Sequence, residues 1–183
     1  MTRLNLAVGD LVVYGAHGAG TVEARETRSV NGDEQAVVVV ALAGSLSVQL
    51  PLALARSQLR PLVDEAGIAA IGKVLRESPP LSGESWLKRS REARAKLGDA
   101  IGLAEVIRDG SVRDAAYLER SGSRLAPSER ELVRQARALL TAEIALARDV
   151  AIDDAETWLD RQLTPSCPEG AGVSPPARAS HAR

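Results

Sequence analysis

The stretch VGDLVVYGAHGAGTVE, residues 8–23, decides the fold that we predict for the first third of the chain. Its run of β-branched and apolar residues up to Tyr14 predicts a strand. The glycines at positions 15, 18 and 20 predict a tight turn into a returning strand. Two strands joined in this way form a hairpin, so we expect the first hairpin of a small β-barrel.

The sequence predicts five strands in the first third of the chain, including the two strands of this hairpin. The predicted strands are Leu11–Tyr14, Gly20–Val30, Glu34–Leu42, Leu46–Leu50 and a short one near Gln58–Leu62. Asn31-Gly32-Asp33 favours a type I′ hairpin turn, because Asn and Gly tolerate positive φ angles. The run Val37–Val40 is apolar on both faces, as in a central strand that is covered from both sides. We therefore expect an SH3-like or Tudor-like barrel over residues 1–63.

After Pro61 the apolar period changes from two to about 3.6, which predicts helices. The apolar stripes are Ile68, Ile71, Val74 and Leu75; Leu103, Val106 and Ile107; Leu132, Val133, Ala136, Leu139, Leu140, Ile144 and Ala147; and Trp158, Leu159 and Leu163. Pro79–Gly83 breaks the chain between the first two helices, and Gly110-Ser111-Val112 predicts an interruption within a later one. The fold class is thus α+β multidomain, with an all-helical domain over residues 64–164. Residues 165–183 are rich in Pro, Ala, Ser and Gly, and we expect a disordered tail.

Charge and composition exclude several classes of protein. The 183 residues carry 23 basic and 24 acidic side chains, which excludes a uniformly basic nucleic-acid binder but not a local basic patch. The single cysteine, Cys167, can form neither an internal disulfide nor a multi-cysteine metal site. No apolar stretch approaches the roughly 20 residues that span a bilayer. We expect a cytoplasmic protein without a membrane segment.

Candidate catalytic arrangements are missing from the sequence pattern. We find no Ser-His-Asp, Cys-His or clustered-carboxylate motif, and no set of metal ligands. The glycine-rich turn at residues 15–20 has the composition of a phosphate-binding loop, but it joins two predicted strands and lacks the following helix that such a loop needs. The sequence therefore predicts a protein without enzymatic activity, cofactor or metal ion.

Four motifs in sequence order carry a resemblance to a known family. They are the opening hairpin with Glu26-Thr27-Arg28, Ser47–Pro51, Ser85–Arg91 and Ala142–Ala147. Over about residues 6–163 the chain resembles the CarD/CdnL family of bacterial transcription regulators. The resemblance implies a monomeric regulator, associated with the bacterial nucleoid, whose barrel docks on the RNA polymerase β subunit. It also implies that the helical domain contacts promoter DNA near the upstream fork, without sequence specificity, and stabilises the open complex.

The resemblance implies a polymerase-binding site on the barrel. Arg28 matches an arginine that contacts the β subunit, and Gln49 and Pro51 lie in the matching strand-then-proline segment. Gln49 departs from the family, whose members generally carry arginine or lysine there. Arg28 could equally be an ordinary exposed strand residue beside Glu26.

Trp86 is the most prominent candidate in the helical domain. The resemblance implies that this tryptophan stands at a helix start and wedges into the minor groove, where apolar side chains can trap distorted DNA. The alternative is structural, because Trp86 would share one helix face with Ser90, Ala93 and Leu97. Ser85 replaces the asparagine that usually precedes the tryptophan.

Basic residues around Trp86 are the candidate phosphate contacts. Lys88, Arg89 and Arg91 match basic positions of the family, and Arg130 in a later helix matches another. Such side chains hold DNA phosphates without reading sequence. The alternative for these residues is a solvated helix face.

A second function remains open from the sequence. The chain could be a protein–protein adaptor whose barrel binds polymerase or another partner while the helical domain never touches DNA. The near-neutral net charge and Gln49 favour the adaptor, whereas the basic cluster behind Trp86 opposes it.

Overall fold

The computed structural model of the chain describes residues 5–30, 33–42 and 46–163. The strands within these ranges are β1 (Leu11–Tyr14), β2 (Ala19–Val30), β3 (Asp33–Leu42), β4 (Leu46–Pro51) and β5 (Leu59–Pro61). The α-helices are α1 (Leu52–Gln58), α2 (Glu65–Arg76), α3 (Trp86–Lys96), α4 (Ala100–Ser121), α5 (Pro127–Arg148) and α6 (Ile152–Leu163). A short 3-10 turn, Gly15–His17, connects β1 to β2.

The strand predictions are confirmed to within one residue at each end. Val30 pairs with Asp33, so β2 and β3 form the expected hairpin, while Asn31 and Gly32 lie outside the described residues. The expected tail at 165–183 also lies outside them.

The strands form one antiparallel sheet in the order β4-β3-β2-β1-β5. All four valines of the run Val37–Val40 are buried in β3, which confirms the prediction of a strand covered on both faces. The inner face of the sheet carries an aliphatic core, against which the partly buried Tyr14 packs. Its buried members are Leu6, Val12, Val22, Val38, Val40, Leu42, Leu50, Ala55 and Leu59.

Two features curl this sheet around its core. The β2–β3 register shifts between Val22 and Ala24, and the extra residue of such a bulge bends the strand and increases its twist. The edge strands β4 and β5 are bridged by α1, which contacts both and buries Ala55 completely. Helix α1 was not predicted, because its seven residues are too few to establish a 3.6-residue period.

The helices from α2 onward share one apolar core, as the stripes predicted. Its largest fully buried members are Ile68, Ile71, Leu103, Ile107, Leu140, Ile144 and Leu159. Asp64 caps α2 by accepting the Gly67 N–H at 2.8 Å, and Asp99 caps α4 by accepting the Gly102 N–H at 2.8 Å. Among the residues described, no helix is both long and apolar enough to cross a membrane.

The predicted interruption at Gly110 is wrong, because α4 runs without a break from Ala100 to Ser121. Gly110 is buried where α4 meets α5, and a Cβ built on it would lie 2.3 Å from Cγ2 of Val133. The glycine therefore allows α4 and α5 to approach each other closely. Helix propensity, on which the prediction of an interruption was based, does not report such a contact.

The barrel and the helices are joined by polar contacts around one buried carboxylate. Nη1 and Nη2 of Arg60 in β5 donate to Oε1 and Oε2 of Glu143 in α5 at 2.5 and 2.8 Å. The Val63 N–H donates to Oε1 of the same carboxylate at 3.0 Å, and Nε of Arg60 donates to the Gly98 carbonyl at 3.0 Å. We call Arg60, Val63, Gly98 and Glu143 the interdomain joint.

Candidate functional surfaces

The sheet register brings the three barrel residues predicted to bind polymerase onto one outer face. In the rows of this face Val39 lies opposite Gln49, Val37 lies opposite Pro51, and Arg28 lies opposite Gln35. Residues two apart on a strand share a face, so these rows are neighbours. We call the surface formed by Arg28, Gln49 and Pro51 the barrel face.

Arg28 is held in place on the barrel face by two neighbours. Its Nη1 donates to Oε1 of Gln49 at 2.8 Å, and its Nη2 lies 2.7 Å from Oε2 of Glu26. The Arg28 side chain remains 46% exposed, so the guanidinium is still open to a partner. Gln49 thus orients Arg28. In the sequence, Gln49 stood out only for lacking the positive charge usual in the family, and this contact was not predicted.

Trp86 stands at the first position of α3, directly after its N-cap Ser85. The indole is half-buried and packs against the helical core together with Ala93 from the same face of α3. The guanidinium of Arg89 lies 5.9 Å from the ring centroid. The structure thus confirms the helix-start position and also the shared inner face that the structural alternative predicted.

Arg89 is directed inward, toward a carboxylate of α5. Its side chain is 18% exposed, and its Nη2 lies 3.4 Å from Oε1 of the buried Glu129. Its Nη1 donates to the Glu84 carbonyl. Glu129 also accepts from Nε of Arg113 at 2.9 Å. Arg89 therefore ties α3 to α5 beneath Trp86, and its contact with a DNA phosphate stays a prediction.

The other predicted basic residues lie on the solvent side. Lys88 is 60% exposed and pairs with Glu84, whose carboxylate raises the pKa of the Lys88 ammonium by accepting its hydrogen bond. Arg91 is exposed, and in the described part of the chain it makes no ion pair. Arg130 is exposed in the first turn of α5, one residue after Glu129. We call Trp86, Lys88, Arg91 and Arg130 the α3 tip.

Sequence reasoning missed three residues of this region. Leu87 is 62% exposed beside Trp86. It was overlooked because a single leucine in a basic segment forms no apolar period that would indicate its position. Arg113 and Glu129 line a cavity of about 120 Å³ next to Trp86. Their pairing spans 16 residues across two helices, and no local signal predicts such a contact.

Two family models match the chain in sequence order. The model described as CarD-like/TRCF RID domain, which has a Tudor-like fold, matches residues 6–63, and the model described as CarD, C-terminal domain, matches residues 70–160. The chain is also 27% identical over 106 residues to YdeB of Bacillus subtilis (strain 168), whose name describes a candidate transcription factor. That match covers 56% of this chain and 69% of the relative.

These matches agree with the structure, since the first model falls on the sheet and the second on the helices α2–α6. The four sequence motifs lie in the same order within the two matched ranges. The chain therefore belongs to the CarD-like family of transcription-associated regulators.

Proposed function

We propose that the protein docks on the β subunit of RNA polymerase through the barrel face and contacts promoter DNA near the upstream fork through the α3 tip. It acts without catalysis or cofactor, as a monomer in the bacterial cytoplasm, and stabilises the open promoter complex.

One observation supports this function best: the barrel candidates share one face of the sheet, while the exposed candidates of the other half lie on α3 and α5. Residues 28, 49 and 51 come from β2 and β4, and residues 86, 88, 91 and 130 come from α3 and α5. A protein that contacts two partners at once needs such an arrangement.

Differential affinity supplies the mechanism. A ligand shifts an equilibrium only if it binds one state better than the other, so the α3 tip must fit open promoter DNA better than closed DNA. Unstacking a base step costs a few kcal/mol, which the exposed cations Lys88, Arg91 and Arg130 would offset through phosphate contacts. Because phosphates carry no sequence information, promoter choice would come from polymerase and from DNA deformability.

The barrel face is tested by charge reversal in the full chain. Arg28→Glu should abolish retention by polymerase, because it places a negative charge against an acidic surface of the β subunit. Arg25→Glu is the matched control: Arg25 is exposed on the same strand but lies opposite Val38, on the other side of the sheet. Retention of the Arg28 variant at the control level would remove Arg28 from the site.

The α3 tip is tested by comparing two tryptophans. Trp158, like Trp86, is half-buried on the helical core and has an arginine, Arg148, 5.2 Å from its ring centroid. Trp86→Ala and Trp158→Ala should each cost stability, by less than the roughly 3–5 kcal/mol of a fully buried aromatic ring. At equal folded fractions, only Trp86→Ala should shorten the open-complex lifetime on a fork-containing template, about tenfold if the wedge contributes about 1.4 kcal/mol.

The adaptor function is the second candidate, and the half-burial of Trp86 with the inward Arg89 favours it. In that case the helical domain would use Trp86 for packing alone. Equal open-complex lifetimes for the two tryptophan variants, with polymerase binding retained, would establish the adaptor and contradict DNA contact.

A further inference from the structure

We infer that the interdomain joint is a positioning device: Arg60 and Glu143 set the distance and angle between the barrel face and the α3 tip. This inference rests on the proposed function, because it assigns a purpose to the geometry between its two surfaces. Neither residue belongs to either surface, so both act as positioning residues.

Glu143 is the most deeply buried charged side chain among the described residues. Its side chain is 1% exposed, whereas Arg60 is 28% exposed. Both carboxylate oxygens accept from the Arg60 guanidinium, and one also accepts the Val63 N–H. A buried carboxylate is costly unless its partners satisfy it, and here every partner comes from the segment that ends the barrel. The present placement of the two halves meets this demand.

The same guanidinium also reaches the segment behind the α3 tip. Its Nε donates to the carbonyl of Gly98, which lies in the turn between α3 and α4. Arg60 is therefore bonded to α5 and to the end of α3 at once. Two parallel N–H···O bonds of an arginine fork fix orientation as well as distance.

The glycine turn of the first hairpin adds a close contact at the same boundary. Gly18 has a φ of +100°, and a Cβ on it would lie 3.2 Å from Cδ2 of Leu139 in α5. A Cβ on Gly98 would lie 3.7 Å from the Cα of Gly15. The glycine backbone of the turn thus packs directly against Leu139 of α5 and against the α3–α4 turn, and tilting the barrel would disrupt both contacts.

A fixed geometry matters because the two surfaces bind together. When two sites are linked, the second binding event gains strength only if the linkage lets both sites engage at the same time. Loosening the joint should therefore lower open-complex stabilisation while each surface keeps its own affinity.

The experiment measures the distance between two spin labels in the full chain. Labels at Thr27→Cys and Ala95→Cys occupy exposed positions on the two halves, in a Cys167→Ser background. The parent should give one narrow distance distribution. Glu143→Gln should at least double its width, because the amide cannot accept both arms of the guanidinium. Glu131→Gln, an exposed residue of α5 that pairs with Arg134, is the matched control and should leave the width unchanged.

A second variant, Arg60→Met with Glu143→Gln, removes both charges, so that neither is left unpaired. It should also broaden the distribution. Both variants should keep parental retention by polymerase and parental DNA association, yet shorten the open-complex lifetime several-fold.

The distance distribution tests whether the joint fixes the geometry, and the open-complex lifetime tests whether that geometry matters for function. Distributions that stay narrow in both variants would overturn the joint as the element that sets geometry. Broadened distributions with an unchanged lifetime would overturn its positioning role. If the parent protein itself does not lengthen the lifetime, the proposed function fails, and the distance measurement still shows whether the joint fixes the two halves.

Discussion

At position 110, a glycine allows α4 and α5 to pack closely, because it has no Cβ. A Cβ there would lie 2.3 Å from Cγ2 and 3.3 Å from Cβ of Val133. Rotating the valine would relieve only part of this crowding, because its own Cβ at 3.3 Å is already closer than ordinary van der Waals contact. Interior glycine is unfavourable by about 1 kcal/mol relative to alanine, so close packing outweighs helix propensity at this residue.

Gly110→Ala should therefore destabilise the protein by about 1–2 kcal/mol, since overpacking costs about 1–3 kcal/mol and the gain in helix propensity offsets part of it. Urea denaturation measures the change. Adding Val133→Ala should recover part of the loss by making room for the new methyl group. A Gly110→Ala protein more stable than its parent would show that α4 and α5 can separate at no cost.

At the scale of one element, α3 divides its basic residues between two tasks. Arg89 faces Glu129 inside the helical domain, while Lys88 and Arg91 face solvent. In the sequence these three residues form one basic cluster. The packing of α3 against α5 directs Arg89 inward and leaves Lys88 and Arg91 exposed.

Lys88→Glu with Arg91→Glu should weaken DNA association and make its salt dependence shallower. Each lost phosphate contact reduces the magnitude of the negative slope of log K against log salt by about 0.9. Binding to a fork template measured at several salt concentrations, with polymerase present, gives this slope. Lys73→Glu with Arg120→Glu, exposed cations of α2 and α4, should leave the slope at the parental value. Equal slopes for both pairs would contradict the phosphate contacts.

The strands and long helices were predictable because each has a local period that reports its buried face. The sequence also placed Trp86 at a helix start and Arg28 on a strand. It missed α1, which is too short to show a period, and the packing role of Gly110, which depends on a partner 23 positions away. It also did not show that Arg89 pairs with Glu129, because a contact across 40 residues leaves no local signal in the sequence.

At the scale of the whole molecule, described structure ends at Leu163, which packs against the helical core. The remaining residues have no apolar period, and such a segment buries almost no surface. Stability should therefore be complete without them.

Deletion of residues 164–183 should change the melting temperature by less than about 2 °C, the shift that about 0.5 kcal/mol produces in a protein of this size. Polymerase binding should be unchanged. A deletion that begins at Ile152 is the control, because it removes the fully buried Leu159 and should unfold the helical domain. A loss of several degrees in the shorter deletion would show that residues 164–183 pack on the rest.

The separation of Arg60 and Glu143 also has a consequence during synthesis. They are 83 residues apart, and ribosomes add roughly 5–20 residues per second. The barrel thus leaves the ribosome about 4–17 s before the carboxylate that will receive its arginine. A barrel that folds within this interval does so without the joint, with Arg60 exposed to water. The barrel face is therefore the first of the two surfaces to be synthesised, before the α5 residue that completes the α3 tip.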